Sequence, residues 1–128
     1  MRMQTLSVSS IRYLIAMHSL DDEKGMQCID IAEALNVTKP SVHGMIETLC
    51  NKALVQKVKY GLVFFTEEGR ELAARYVAYY DIILHFLSRK LALSLEDSKN
   101  AAFLLLAGIP EEGVVNMCEI IDRKSTRL

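Results

Sequence analysis

Between Thr38 and Gly44 the chain gathers two hydroxyls, an ammonium and an imidazole in one short run, Thr-Lys-Pro-Ser-Val-His-Gly. These groups are better suited to holding anions than to making or breaking bonds. Pro40 fits near the first position of a helix, where its missing N–H costs nothing, and the free backbone N–H groups of such a start suit a phosphate beside the Lys39 ammonium. Thr38 sits at the same start, and Ser41 and His43 can hydrogen-bond phosphates or base edges. Gly44 lets a helix approach a partner closely, at a cost of about 1 kcal/mol in helix propensity. A second polar group follows at Lys57, Lys59 and Tyr60. From Asn36 to Phe65, Lys39, Lys52, Lys57 and Lys59 face the single acid Glu47, although the whole chain has a net charge of −1. Such a local excess supports a phosphate-facing surface, although lysines also keep a short two-stranded edge soluble. No Arg stands in the run to grip guanine through two hydrogen bonds, so strong base readout is not expected.

Other chemistry-bearing residues are sparse. Asp81 and His85 stand at i and i+4, on one face of a helix, and His18 lies on an earlier segment. Two ligands do not define a metal site, and a solvated pair or a satisfied core histidine is the simpler reading. Met117, Cys118 and Glu119 are consecutive and point different ways on a helix. Cys28, Cys50 and Cys118 are odd in number and lack any Cys-x-x-Cys or Cys/His ligand spacing, which argues for buried thiols over disulfides or structural zinc. No nucleophile–base pair, glycine-rich phosphate loop or carboxylate pair appears at useful spacing, so the chain is not expected to be an enzyme.

The elements that would position these residues can be read from periodicity. With 128 residues, 51% of them hydrophobic, and only six Gly and two Pro, the chain should be mostly regular structure in one small domain with a helical extension. Ser7 as cap and apolar residues at Val8, Ile11, Leu14, Ile15 and Met17 predict a first helix, which the acidic stretch from Asp21 and then Gly25 end. Ile29, Ile31, Ala32 and Leu35 predict a short second helix. Val42, Met45, Ile46 and Leu49 form one face of a third, from about Lys39 to Lys52, and the pair makes a helix-turn-helix. Leu54 to Val58 and Leu62 to Phe65, around Lys59-Tyr60-Gly61, predict a hairpin. The fold class is therefore mainly α, with a winged helix-turn-helix DNA-binding domain over residues 1–66.

Residues 67–128 are expected to form a helical dimerisation region. Thr66 caps a long helix that opens with Glu67 and Glu68 and carries Leu72, Tyr76, Tyr79, Ile83 and Phe86 as one stripe. Ser94-Leu95-Glu96-Asp97 matches a capping box, and from Ala101 to Ala107, Phe103 and Leu106 included, apolar residues occupy every side, as in a core shared by two copies. Gly108 closes that helix and Pro110-Glu111-Glu112 opens a last one. The aromatics Tyr79, Tyr80, Phe86 and Phe103 read as core rather than as a pocket for a hydrophobic effector. The N-terminus resembles neither a secretory signal nor an anchor, and the longest apolar run, Ala101 to Ile109, is too short to span a bilayer, so a cytoplasmic location and no membrane partner are expected.

Tyr13-Leu14, the run from Asp30 to Val37 (Asp-Ile-Ala-Glu-Ala-Leu-Asn-Val), Pro40-Ser41-Val42, and Tyr60-Gly61-Leu62-Val63 leading to Thr66-Glu67-Glu68-Gly69 occur in this order. In order and spacing, out to about Leu106, the chain resembles the iron-dependent repressor family, of the diphtheria toxin repressor and manganese transport regulator type. That resemblance implies a dimeric, metal-activated repressor of double-stranded DNA, with manganese or ferrous iron held by the first, long and capped helices. The implied ligand positions fall on Arg12 and Ile15, on Tyr80 and Leu84, and on Lys99, Phe103, Leu106 and Ala107, none of them a good ligand for a hard cation. The strand before Thr66 is one residue longer than the family pattern, and the third, Src-homology-like domain of some members is not expected. The resulting expectation is a homodimeric DNA-binding repressor with no metal cofactor and a degenerate metal site. Two alternatives stay open: a protein-interaction module that pairs with a full-length repressor without productive DNA binding, and a metal-responsive repressor using other ligands.

Overall fold

The computed structural model describes residues 6–58 and 61–126, the last three of these by their backbone alone. The chain is mainly helical and forms two compact units: one runs from Arg12 to Arg75, and the other joins the residues up to Ile11 to those from Tyr76 onward. Helix α1 (Val8–Leu20) is followed by β1 (Met26–Gln27), α2 (Cys28–Leu35), α3 (Lys39–Asn51), β2 (Val55–Lys57), β3 (Leu62–Phe65) and the long α4 (Glu67–His85). The Ser7 hydroxyl accepts the Ser10 N–H at 3.0 Å and so caps α1.

In the first unit the helix-turn-helix is closed by backbone chemistry at Asn36. Its φ of 57° is left-handed, a region that Asn tolerates better than most residues. There its N–H reaches the Glu33 carbonyl at 3.3 Å and the Val37 N–H reaches that of Ala32 at 3.0 Å, the paired bonds of a Schellman turn. The same turn ends α3, where the Ala53 N–H bonds the Cys50 carbonyl at 2.9 Å and the Leu54 N–H that of Leu49 at 3.0 Å. Here the left-handed residue is Ala53, with φ 63°. Leu14, Met17, Ile31, Val42, Ile46, Leu49 and Val63 are fully buried in this unit.

The hairpin expected from sequence is part of a three-stranded antiparallel sheet in the order β1-β3-β2. Met26 pairs with Val63 on one side of β3, and Lys57 pairs with the same Val63 on the other. Gly25 turns the chain into β1 with φ +89°, and a Cβ there would lie 2.7 Å from the Phe64 ring. After β3, Thr66 ties three segments together. Its N–H donates to the Leu54 carbonyl at 3.0 Å, its hydroxyl donates to the Ala53 carbonyl at 2.8 Å and accepts the Gly69 N–H at 2.9 Å. Gly69 is packed so closely that a Cβ would collide with the Leu54 carbonyl. One turn on, the Arg70 guanidinium grips Asp21 through Nε at 2.7 Å and Nη2 at 3.4 Å.

In the second unit α4 runs into a π-helical turn, Phe86–Lys90, in which the Leu91 N–H reaches back to the Phe86 carbonyl at 3.3 Å. α5 (Leu95–Gly108) starts at the Ser94 cap, whose hydroxyl accepts the Asp97 N–H at 3.0 Å, and α6 (Glu111–Thr126) follows. Tyr80 and Phe103 stack with ring centroids 4.7 Å apart, and the Tyr79 hydroxyl donates to Glu111 Oε2 at 2.7 Å. Among the residues expected to pair two copies, Tyr76, Ile83 and Leu106 are buried within the chain itself, while Leu72, Tyr79, Phe86 and Phe103 are half-buried. α5 has two faces here: Ala102 and Leu106 are buried, whereas Leu104 is 65% exposed. Cys118 is buried and Cys28 and Cys50 are half-buried, all three as free thiols. Among the described residues no helix is long and apolar enough to cross a membrane.

Two substitutions should move stability in opposite directions. Gly69→Ala forces a methyl group into backbone and should cost about 3 kcal/mol or more, whereas Ala53→Gly relieves a left-handed alanine and should add about 1 kcal/mol. Urea unfolding of both variants checks this, and a Gly69→Ala protein as stable as the parent would show that the junction is looser than drawn.

Candidate nucleic-acid interface

α3 has one buried face and one exposed face. Val42, Ile46 and Leu49 are buried, and each contributes about 1.5–3 kcal/mol by leaving water. Thr38, Lys39, Pro40, Ser41, His43 and Gly44 are all exposed on the remaining surface, as is Glu47. The structure thus brings the whole first group of sequence candidates to one helix start.

Its hydrogen bonds narrow what each can do. The Thr38 side chain accepts the Ser41 N–H at 3.3 Å, and the two hydroxyl oxygens lie 2.9 Å apart. Both hydroxyls therefore serve the cap. Pro40 has no N–H, the Ser41 N–H is taken, and the Val42 N–H bonds the Thr38 carbonyl at 3.1 Å, so the Lys39 N–H is the first-turn donor left for an anion. Charge at this end comes chiefly from the Lys39 ammonium, and the His43 imidazole is exposed one turn further along. Around Gly44 no heavy atom lies within 4 Å of an added Cβ, so packing does not require a glycine there. The Thr48 hydroxyl donates to the Gly44 carbonyl at 3.2 Å.

In the wing, Lys57 is exposed at the end of β2, and Val58 beyond it is 43% exposed. The Val58 N–H bonds the Leu62 carbonyl at 2.9 Å, and Gly61 has φ +74°. Lys59 and Tyr60 lie outside the described residues. The wing is also joined to the start of α2, where the Cys28 thiol donates to the Gly61 carbonyl at 3.9 Å. Val58 was not singled out by sequence reasoning, because a valine ending a β-prone run reads as strand interior.

The positions where the family resemblance implies metal ligands hold other chemistry. Tyr80 and Phe103 are occupied in ring stacking, Leu106 is 2% exposed in the core, and Lys99 is exposed. Asp81 and His85 border one cavity, but among the described residues no three His, Cys, Asp or Glu side chains cluster as a metal ion would need.

Helix-turn-helix, three-stranded wing and trailing helices define a winged-helix fold with a helical extension. By sequence the chain matches no protein-family model and no curated protein. Its fold is similar to that of the manganese regulator SloR, with a TM-score of 0.71 at 24% identity, covering 93% of this chain and 55% of that one. The metal-dependent transcriptional regulator MtsR gives 0.71 at 19% identity, over 88% of this chain and 53% of that one. A hypothetical protein from Sulfolobus solfataricus gives 0.64 at 22% identity, over 92% and 91%. The chain thus spans about half the length of the two regulators, and what the three share with it is the fold.

Gly44 provides a sharp test of the α3 surface. Gly44→Ala should stabilise the fold by about 1 kcal/mol through helix propensity and yet weaken binding to duplex DNA, because the new methyl group stands where the backbone would come closest. Thermal unfolding and fluorescence anisotropy measure the two effects separately. Higher stability with unchanged affinity would place Gly44 away from the DNA.

Proposed function

We propose that the chain is a homodimeric winged-helix regulator that binds double-stranded DNA, acts as a repressor, and lacks the metal switch implied by its family resemblance. One observation carries the reading: the start of α3 exposes Lys39, His43 and Gly44 opposite a face anchored by Val42, Ile46 and Leu49. A helix held in that way would meet the major groove with its N-terminal residues, and in this reading Lys57, Lys59 and Tyr60 would contact the DNA backbone. The similar fold of a manganese regulator and of a metal-dependent transcriptional regulator supports the regulator class. The absence of the switch is inferred from the side chains at the implied ligand positions. Manganese and ferrous iron call for carboxylates and imidazoles, and an aromatic stack, a buried leucine and an exposed lysine do not fit them.

In this reading residues 1–66 bind DNA and residues 67–128 pair two copies. Leu91, Leu95 and Leu104, exposed to 56%, 57% and 65%, supply apolar surface for a second copy to cover. In this reading the work of the site is binding, and a cytoplasmic location goes with that role. The crowded cap favours one rival, a module that pairs with a full-length repressor: with Ser41 committed and Pro40 lacking a donor, the α3 start holds an anion through Lys39 alone.

The deciding experiment is a titration of genomic fragments, followed by anisotropy between about 50 and about 200 mM salt, with and without Mn²⁺, alongside sedimentation to fix the oligomer. The expected result is tight binding with a steep salt slope that Mn²⁺ leaves unchanged. Lys39→Ala should weaken binding to all sequences alike and lower the salt slope by about 1, as loss of one phosphate contact does. Binding only with Mn²⁺ would refute the switchless reading, and no binding under either condition would put the pairing module in its place.

A further inference from the structure

Within the second unit two cavities lie side by side and share the walls Phe86 and Ile121. One, of about 360 Å³, is otherwise lined by Ile83, Leu87, Leu105, Met117 and Ile120, with no polar side chain among its lining residues. Its neighbour, of about 450 Å³, adds Ile82 to the shared walls and is otherwise bordered by ionisable groups: Asp81, His85, Arg89, Lys90 and Asp122. Each volume falls in the range of small-molecule sites, roughly 300–1,000 Å³, and an apolar lining with a few polar groups at one end is the usual makeup of such sites.

The charges at the polar end are not equivalent. Asp122 already has an interaction partner, and its charge, after burial, helps push the Cys118 thiol pKa up. Asp81 stands one helical turn before His85, on the same face. Arg89 and Lys90 are exposed, and no hydrogen bond or ion pair among the described residues holds either side chain. Both come from the π-helical turn Phe86–Lys90, which also supplies the shared Phe86 wall and Leu87. The turn ends α4, as wide turns at helix C-termini do. Here it sets two exposed cations beside the mouth of an apolar groove.

We propose that this pair of cavities is a binding site for an amphipathic carboxylate, its apolar body lying along Leu87, Leu105 and Met117 and its head group between Arg89 and Lys90. A forked guanidinium next to a carboxylate gives charge-assisted hydrogen bonds that an alcohol or an ammonium cannot match. The apolar groove supplies the burial that a short acid such as acetate lacks. The site stands apart from the DNA-binding reading, since its ligand is detected without DNA.

Calorimetric titration of the full chain with dodecanoate, below its micelle concentration, tests the site directly. Saturable binding of one dodecanoate per chain is expected, with dodecanol and acetate each at least roughly tenfold weaker. Arg89→Ala with Lys90→Ala, both at exposed positions, should weaken dodecanoate by a similar factor while leaving the circular dichroism spectrum unchanged; Met117→Lys should abolish binding. Equal binding of dodecanol and dodecanoate would reduce the site to a greasy surface, and tighter binding of dodecyltrimethylammonium would assign the head group to Asp81 and Asp122. Either result overturns the proposal. So would a dimer that Ile120→Lys dissociates and that binds no carboxylate in either form, since the groove would then be covered by a second copy.

Discussion

The Leu54 carbonyl is the point on which the first unit turns. It accepts the Thr66 N–H, and the chain passes so close to it that residue 69 has no room for a side chain. Leu54 closes the Schellman turn at the end of α3, Thr66 follows the last wing strand, and Gly69 lies in the first turn of α4. One residue therefore joins three elements: the Leu54 N–H closes the end of α3, and its carbonyl meets the return of the wing and the start of the long helix. The individual hydrogen bonds contribute about 1 kcal/mol each. Their larger effect is geometric, because a shift at Leu54 would have to displace three elements together.

That constraint leaves the exposed side of α3 free of structural duty except at its cap. Thr38 and Ser41 spend their hydroxyls on each other and on the helix start, whereas Lys39 and His43 have no such task. Side chains that hold the helix and side chains left uncommitted thus alternate along one short run. The division explains how a surface with modest positive charge can still be held rigidly: its anchors lie underneath, in Val42, Ile46 and Leu49, and not in the contacts it offers.

Sequence reading recovered the parts that periodicity and capping chemistry specify. The helix-turn-helix was legible because Ile31, Ala32, Val42, Ile46 and Leu49 keep helical spacing on either side of Asn36 and Thr38, residues suited to ending and starting helices. β1 was not, since two residues carry no alternation. The left-handed Ala53 was hidden for a different reason: alanine is the best helix former, and nothing local marks it as a turn. The π turn is likewise silent, as Phe-Leu-Ser-Arg-Lys would sit equally well in an α-helix. Periodicity also shows that a stripe is apolar without showing what covers it. Tyr76, Ile83 and Leu106, read as a surface for a second copy, are covered by their own chain, while Leu104 on the other face of α5 is not.

Val63 sits between Met26 and Lys57, hydrogen-bonded into a ladder on each side. Because β1 runs without a break into α2, the sheet and the helix-turn-helix are joined by continuous backbone. The spacing between the exposed start of α3 and the end of β2 is thus carried by the backbone that joins them. If the proposed reading holds, a duplex met at both places would be selected by its contour, through the ease with which its groove width and curvature match that span. With few side chains able to read bases, discrimination among sequences would then reside in the mechanics of the DNA.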